Sequence, residues 1–261
     1  MSMEEFWGIV EDVIDNSDFV IEVIDARMLE MTRNMNAENL VKSRGKKLII
    51  VANKADFLSK EAIDFYKDKI GKIPFFFVSI RNRKGVTRLK WGLFKIIKKR
   101  SNNRMINIGI IGYPNTGKSS LINALCGRRA IAVSSRPGTT RCHQLVKMSS
   151  NIMLIDTPGV IPMSDGDETK QILMNTRDPS NARRIDDAAS EIVRIFLELN
   201  RKTFEEMYKV KTQGKSFGKI VNEIGLSNNM LIKGGKADAR RVYLRLINDW
   251  QKGKILLKDN Q

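Results

Sequence analysis

Cysteine and histidine are nearly missing from this chain of 261 residues, which holds only Cys126, Cys142 and His143. With no Cys-x-x-Cys pair and no histidine cluster, a disulfide framework and a structural zinc site are both excluded. Long apolar runs are also missing. None reaches the roughly 18 residues needed to cross a bilayer. The opening stretch "MSMEEFWGIVEDVIDNSD" is acidic and amphipathic, without the basic-then-apolar layout of a secretory leader. A cytoplasmic location with no membrane partner is the expectation. Acidic side chains are the minority, 29 against 46 lysines and arginines, for a net charge of +17. Such a surplus favours an anionic partner, because basic side chains beside a phosphate backbone release its condensed counterions. No aromatic RNA-recognition motif or KH-type loop is present, so any RNA would be read by shape and backbone.

Up to about residue 160, short β-branched runs alternate with helical stretches. "DFVIEVIDAR", "KKLIIVAN", "IPFFFVSI", "MINIGIIG" and "NIMLIDTPG" are apolar runs that end in polar or turn-forming residues. Strands apolar on both faces and separated by helices predict an α/β fold, with a doubly wound, mainly parallel sheet covered on both sides. Ligands in such sheets bind at the carboxyl ends of the strands. Beyond about residue 165 the pattern changes. "SDGDETKQILMNTRDPSN" is polar and breaker-rich and reads as a mobile connection. Then Ile185, Ala189, Ile192, Val193 and Phe196 form one helical stripe, and Ala239, Val242, Tyr243, Leu246 and Trp250 another. Two domains are expected: residues 1–165, and an all-helical domain over 166–261.

"GYPNTGKS", from Gly112 to Ser119, fits G-x-x-x-x-G-K-[ST] between an apolar run and a helical stretch, the context a phosphate-binding loop requires. Gly112 and Gly117 let the backbone curl its N–H groups inward. Lys118 supplies a point charge to the β- and γ-phosphates, and Ser119 a hydroxyl to Mg²⁺. Asn115, Thr116, Gly117, Lys118, Ser119 and Ser120 are the expected phosphate contacts. A second Mg²⁺-linked acid should end a neighbouring strand, and Asp156 in "IMLIDTPG" does, with the Gly159 N–H aimed at the γ-phosphate. Between them "SSRPGTTRCHQ" carries Thr139 and Thr140, one of which would complete the metal shell only while the γ-phosphate is present.

"NKAD" follows the run "KLIIVA" as Asn53, Lys54, Ala55 and Asp56. A carboxylate at Asp56 accepts two hydrogen bonds from guanine's N1–H and amine, donors that adenine lacks. Asn53 would hold the base edge and the loops together, while the Lys54 stem lies along the purine. In "VSIRNRKG", Ser79 and Ile80 would offer backbone N–H groups to the guanine oxygen.

The motifs stand in the order 4-5-1-2-3 of the usual GTPase numbering. In that order the chain resembles the circularly permuted GTPases of the ribosome-assembly type, the YlqF/YawG-like family. The likeness covers nearly the whole sequence, including "VIEVIDAR" and the tail "GGKADARRVYLRLINDWQKGKI". It implies a permuted P-loop GTPase fold that binds GTP, GDP and Mg²⁺. It also implies action on ribosomal RNA or a pre-ribosomal, large-subunit particle; a monomeric protein is the expectation, with the sequence leaving the oligomeric state open. Thr140 is the preferred switch threonine, since Pro-Gly-x-Thr puts it where such GTPases use one. With Lys118 and Gly159 it forms the expected catalytic set, and with Ser119 and Asp156 the metal set. Val160 stands where many GTPases carry the glutamine that orients water, which implies slow hydrolysis stimulated by the particle. The alternative is a GTP-gated RNA-binding module with negligible hydrolysis. Asn115 matches an asparagine that holds K⁺ in related GTPases; its other reading is a hydrogen bond within its own loop. The family's N-terminal histidine is absent, and His143 reads as either a participant or surface decoration.

Residues 81–104 hold ten basic side chains and no acidic one. As a helix this run would bury Leu89, Leu93, Ile96 and Ile97 and expose Lys95, Lys98 and Lys99, a face of one sign that attracts a polyanion. In 237–250, Arg241 and Arg245 project opposite the apolar stripe and are candidate RNA contacts.

Overall fold

The computed structural model describes residues 3–70, 73–98, 104–128, 130, 144–156, 167–254 and 257. Thr139, Thr140, Cys142, His143, Gly159, Val160 and Lys99 lie outside the described residues, as does the 165/166 boundary.

The chain divides into two compact units, residues 1–56 with 63–162, and residues 57–62 with 163–261. In the first, β1 (Phe19–Asp25), β2 (Lys47–Asn53), β3 (Phe75–Phe77), β4 (Ile106–Ile111), β5 (Gln144–Ser149) and β6 (Ile152–Asp156) form one sheet in the order β3-β2-β1-β4-β6-β5. Every pairing is parallel except β5 with β6. The expected mainly parallel α/β sheet is therefore what the chain folds into.

β1 explains why both faces must be covered: all seven of its residues are buried. Alternate side chains point to opposite faces. Phe19, Ile21 and Val23 join Ile49, Val51, Ile106, Ile108 and Ile110 in one core layer. The helices Val86–Lys98 and Lys118–Cys126 cover it with Leu89, Leu93, Leu121 and Leu125. On the other face the helix Met3–Asp15 lies against β4 and the helix Met35–Ser43 against β2. Val10, Val13, Ala37 and Val41 are buried there.

β5 is a strand the apolar runs do not announce. It is an antiparallel edge strand with Val146 as its one fully buried residue, so it carries no continuous hydrophobic signal.

The second unit is helical, with Glu168–Leu173, Ile185–Leu199, Arg201–Tyr208, Phe217–Ser227 and Ala239–Gln251. Its core is aromatic. Phe196 meets Trp250 edge-on at 6.1 Å and Phe204 meets Tyr208 at 4.9 Å. Removing such a side chain to alanine costs about 3–5 kcal/mol. Two expectations need correction. Residues 168–182 are not a loose connection. Ile172 and Leu173 are buried, the Trp250 indole N–H donates to the Leu173 carbonyl at 3.0 Å, and Glu168 accepts the backbone N–H groups of Arg183 and Arg184. In the last helix Ala239 is exposed and Ile247 takes the buried place in the stripe. Arg245 projects outward but lies 3.5 Å from Asp249, so it is paired within its own helix.

Candidate functional site

Asp25, Asn53, Gly112 and Asp156 all fall at the carboxyl ends of parallel strands. Asn53 is the connecting residue. Its Nδ2 donates to the Thr116 carbonyl at 2.9 Å, and its Oδ1 accepts the Ile80 N–H at 3.2 Å. One buried side chain thus ties the end of β2 to the Gly112–Ser119 loop and to the loop after β3. Backbone geometry fixes the fit. Gly117 has φ +101°, and a Cβ there would fall 2.3 Å from Asn53 Nδ2. At Gly112, φ +142°, a Cβ would meet the Val23 carbonyl oxygen at 2.3 Å. A side chain at either position would push the loop off the sheet.

Inside the loop, Lys118 is buried and its ammonium donates to the carbonyls of Gly112 at 2.7 Å and Tyr113 at 2.9 Å. Burial lowers its pKa to about 8, against the pull of Asp156, which favours the charged form. Thr116 is fully buried, with its hydroxyl on the Tyr113 carbonyl. The Ser119 hydroxyl donates to Asp156 Oδ2 at 3.4 Å, and burial raises the Asp156 carboxyl to about 6 although Lys118 and Ser119 oppose the rise. Its other oxygen, Oδ1, is buried without a hydrogen-bond partner among the described residues. A buried, unsatisfied carboxylate oxygen is costly. Next to a serine hydroxyl and an anion-binding loop, it is the oxygen donor a hard divalent cation takes. The residues present therefore fit Mg²⁺.

Lys54 adopts a left-handed backbone, φ 66°, which costs a side-chain-bearing residue about 1 kcal/mol or more. Its ammonium is held by Asp25 Oδ2 at 2.7 Å, and Arg27 contacts the same oxygen at 2.8 Å. Burial alone would raise the Asp25 carboxyl, but these two cations outweigh it and hold it well below the usual carboxylate range. Asp25 and Arg27 belong to the "VIDAR" stretch and are site-building residues that the motif reading did not pick out. An acid ending a fully buried strand was the available signal.

Asp56 is half-buried in the short turn Ala55–Phe57, directly beyond Asn53 and Lys54. The two N–H groups expected to face the guanine oxygen have partners inside the protein. The Ser79 N–H donates to the Lys84 carbonyl at 2.9 Å and the Ile80 N–H to Asn53, so both groups are engaged within the protein. A guanine oxygen would have to displace the longer of the two, at Ile80. Asn115 sits in the left-handed region, φ 60°, at the tip of the loop, and Ser120 follows in the first turn of the helix Lys118–Cys126. Thr140 and Gly159, expected to complete the site, lie outside the described residues.

Beneath the loop, the Tyr113 hydroxyl accepts from Asn34 Nδ2 at 3.3 Å, and the Asn34 N–H donates to Glu22 at 2.7 Å. Burial, with Glu38 beside it, pushes the Glu22 carboxyl up to about 8. Glu38 is in turn held by two 2.7 Å contacts from Arg33.

Comparison with known proteins points to GTPases. The family profile described as RsgA GTPase matches residues 11–164, and the profile described as 50S ribosome-binding GTPase matches 107–222. The chain is similar to an uncharacterised GTP-binding protein of Methanocaldococcus jannaschii, 36% identical over 95% of this chain and 65% of that protein. It is also similar to nucleolar GTP-binding protein 2 of Saccharomyces cerevisiae, 31% identical over 97% of this chain and 52% of that protein. The chain thus spans about half to two thirds of the length of the curated relatives it matches. Among solved structures, GNP-bound YlqF of T. maritima superposes with a TM-score of 0.57, at 23% identity over 94% of this chain and 92% of that one. The GDP-bound form gives 0.59, at 21% identity over 95% and 97%. These two share the fold, permuted order included.

Proposed function

We propose a function from one premise: this chain belongs to the RsgA GTPase family. It binds GTP and GDP, hydrolyses GTP, and uses the change of nucleotide as a switch in the assembly of a ribosomal particle. The observation that carries the reading is Asn53, which joins a guanine-reading segment and a phosphate loop into one site. Asp56 takes the guanine N1–H and amine, with the Lys54 stem held beside the base by Asp25. The loop N–H groups and Lys118 take the phosphates, Lys118 leaving its two carbonyls to do so. Ser119, Asp156 and Thr140 would hold Mg²⁺, which supplies positive charge to the β- and γ-phosphates when bound. Water attacks the γ-phosphorus, the β–γ bridge breaks, and GDP and phosphate result. Thr140 and the Gly159 N–H sense whether the γ-phosphate is present.

The partner is ribosomal RNA in a pre-ribosomal, large-subunit particle. The charge of +17 and the matches to ribosome-binding and nucleolar GTP-binding proteins support it. The helical unit from residue 166 onward is its RNA-binding domain. Asp156 leads directly along the chain into that unit, so nucleotide state passes to it covalently. The protein works as a monomer in the cytoplasm. Among the described residues no helix is long and apolar enough to cross a membrane.

Val160, lacking any group to orient water, favours a second reading in which the protein is a GTP-gated RNA binder without meaningful turnover. Single-turnover hydrolysis, with and without ribosomal subunits, separates the two. Stimulated release of phosphate supports the switch enzyme; GTP-dependent co-sedimentation without phosphate release supports the gated binder. The same assay in K⁺ and in Na⁺ decides between the two readings of Asn115.

A further inference from the structure

Trp91 is the most exposed large apolar side chain among the described residues, at 72%, with Phe94 beside it at 40%. Both lie on the helix Val86–Lys98, whose inner stripe of Leu89, Leu93 and Ile97 is fully committed to the core. The outer face owes nothing to packing. At helical spacing Trp91 is flanked by Arg88 three residues before it and Lys95 four residues after, with Lys98 one turn further. Arg88, Lys95 and Lys98 are exposed, as are Arg81, Arg83 and Lys84 in the loop that leads into the helix.

Elsewhere in the chain a number of basic side chains have counter-charges. Arg27, Arg33, Lys54, Arg104, Arg177, Arg194, Lys215 and Lys254 are all ion-paired. Among the described residues, no ion pair involves any basic side chain of 81–98, a stretch without a single acid. Arg128, exposed just beyond the neighbouring helix, extends the field; burial raises the Cys126 thiol there, although Arg128 and Lys90 oppose the rise.

We infer that the outer face of the helix Val86–Lys98 is a second RNA-contact surface, on the GTPase unit itself, where an unpaired base stacks on Trp91 while Arg88, Lys95 and Lys98 hold the flanking phosphates. An aromatic platform inside a row of cations is how single strands are held without reading their sequence. An acidic peptide would satisfy the charges, but Trp91 and Phe94 alone give it no groove to fill. A duplex would use the cations and leave the indole without work, since a paired base is not open to stacking. The choice of RNA over DNA rests on the ribosomal partner proposed above; the surface itself does not.

The test uses the full chain and a fluorescein-labelled, unstructured RNA of about 12 nucleotides, within the span such surfaces cover. Binding is followed by anisotropy over a range of KCl concentrations, and GDP affinity, unchanged in every variant, certifies the fold. Trp91→Leu should weaken binding about tenfold without altering the salt dependence, while Trp91→Phe stays within about twofold. Replacing Arg88, Lys95 and Lys98 together by glutamine should reduce the slope of log K against log salt by about 2, at roughly 0.7 per phosphate contact on a single strand. If native chain and Trp91→Leu bind the oligonucleotide equally, the stacking surface is wrong while the RNA partner stands. If the native chain binds no RNA at all, the partner is wrong as well. Loss of ribosomal-subunit binding in Trp91→Leu with oligonucleotide binding intact would give the face to a protein partner and overturn the inference.

Discussion

Asn53 reaches 63 positions along the sequence to donate to the Thr116 carbonyl at 2.9 Å, and it receives the Ile80 N–H on its other amide atom. Asn53→Ala would leave a buried carbonyl and an N–H unpaired, each worth about 1–3 kcal/mol. GDP affinity should drop by one to two orders of magnitude, read by titration with a fluorescent GDP analogue. Affinity within about twofold of the native chain would mean that the loops hold their places without this tie.

In the proposed base pocket, Asp56→Asn exchanges an acceptor for a donor where guanine offers two donors. The variant should lose GDP and gain xanthosine diphosphate, whose base carries an oxygen at the amine position. The change in preference should be on the order of a hundredfold or more, as for other sites built around a polar substrate group. Parallel titrations with the two nucleotides measure it. A variant that still prefers GDP removes Asp56 from the base pocket.

The metal role proposed for Asp156 comes with a cost in stability. In the native chain Mg²⁺ should tighten GTP binding by on the order of tenfold or more; in Asp156→Asn the gain should shrink to about twofold. Without nucleotide the same variant should unfold at higher urea, by about 1 kcal/mol, because a buried unpaired carboxylate oxygen has been neutralised. A variant that keeps its Mg²⁺ response assigns the metal elsewhere.

Glu22 provides the pH dependence. Its folded pKa, about 8, lies above the ordinary 4.5, so the native state holds a proton that the unfolded chain releases between those values. Its contribution is fully present below about pH 4.5 and is lost as pH rises toward 8. Glu22→Gln keeps an acceptor for the Asn34 N–H but cannot ionise. Urea midpoints at pH 5.5 and pH 8 should fall less for the variant, with a difference on the order of 2 kcal/mol. Parallel slopes for the two proteins would show that Glu22 is ionised in the native state.

What the sequence makes legible is what is contiguous. β1, β2, β4 and β6 are largely apolar runs, and the glycine-rich loop and "NKAD" are short enough to read letter by letter. β5 escapes notice because an edge strand needs only Val146 inside. Residues 168–182 look loose because their polar groups are satisfied from a distance: Trp250 supplies an N–H from 77 positions away, and Glu168 binds backbone 15 and 16 residues on. Asp25 is missed for the same reason, since Lys54 lies 29 positions further along the chain. Pairings between distant positions leave no periodicity behind.

The strand order β3-β2-β1-β4-β6-β5 also governs what a ribosome making this chain must shelter. Synthesis lays β1 down first, then adds β2 and β3 on one flank only. Until β4 emerges, the other flank of β1 is a bare row of backbone donors and acceptors beside mostly apolar side chains, a template for pairing with any passing strand. The rearranged connectivity thus lengthens the interval in which the nascent half-sheet is vulnerable, and a chain cut off before residue 104 would be released in that unprotected state.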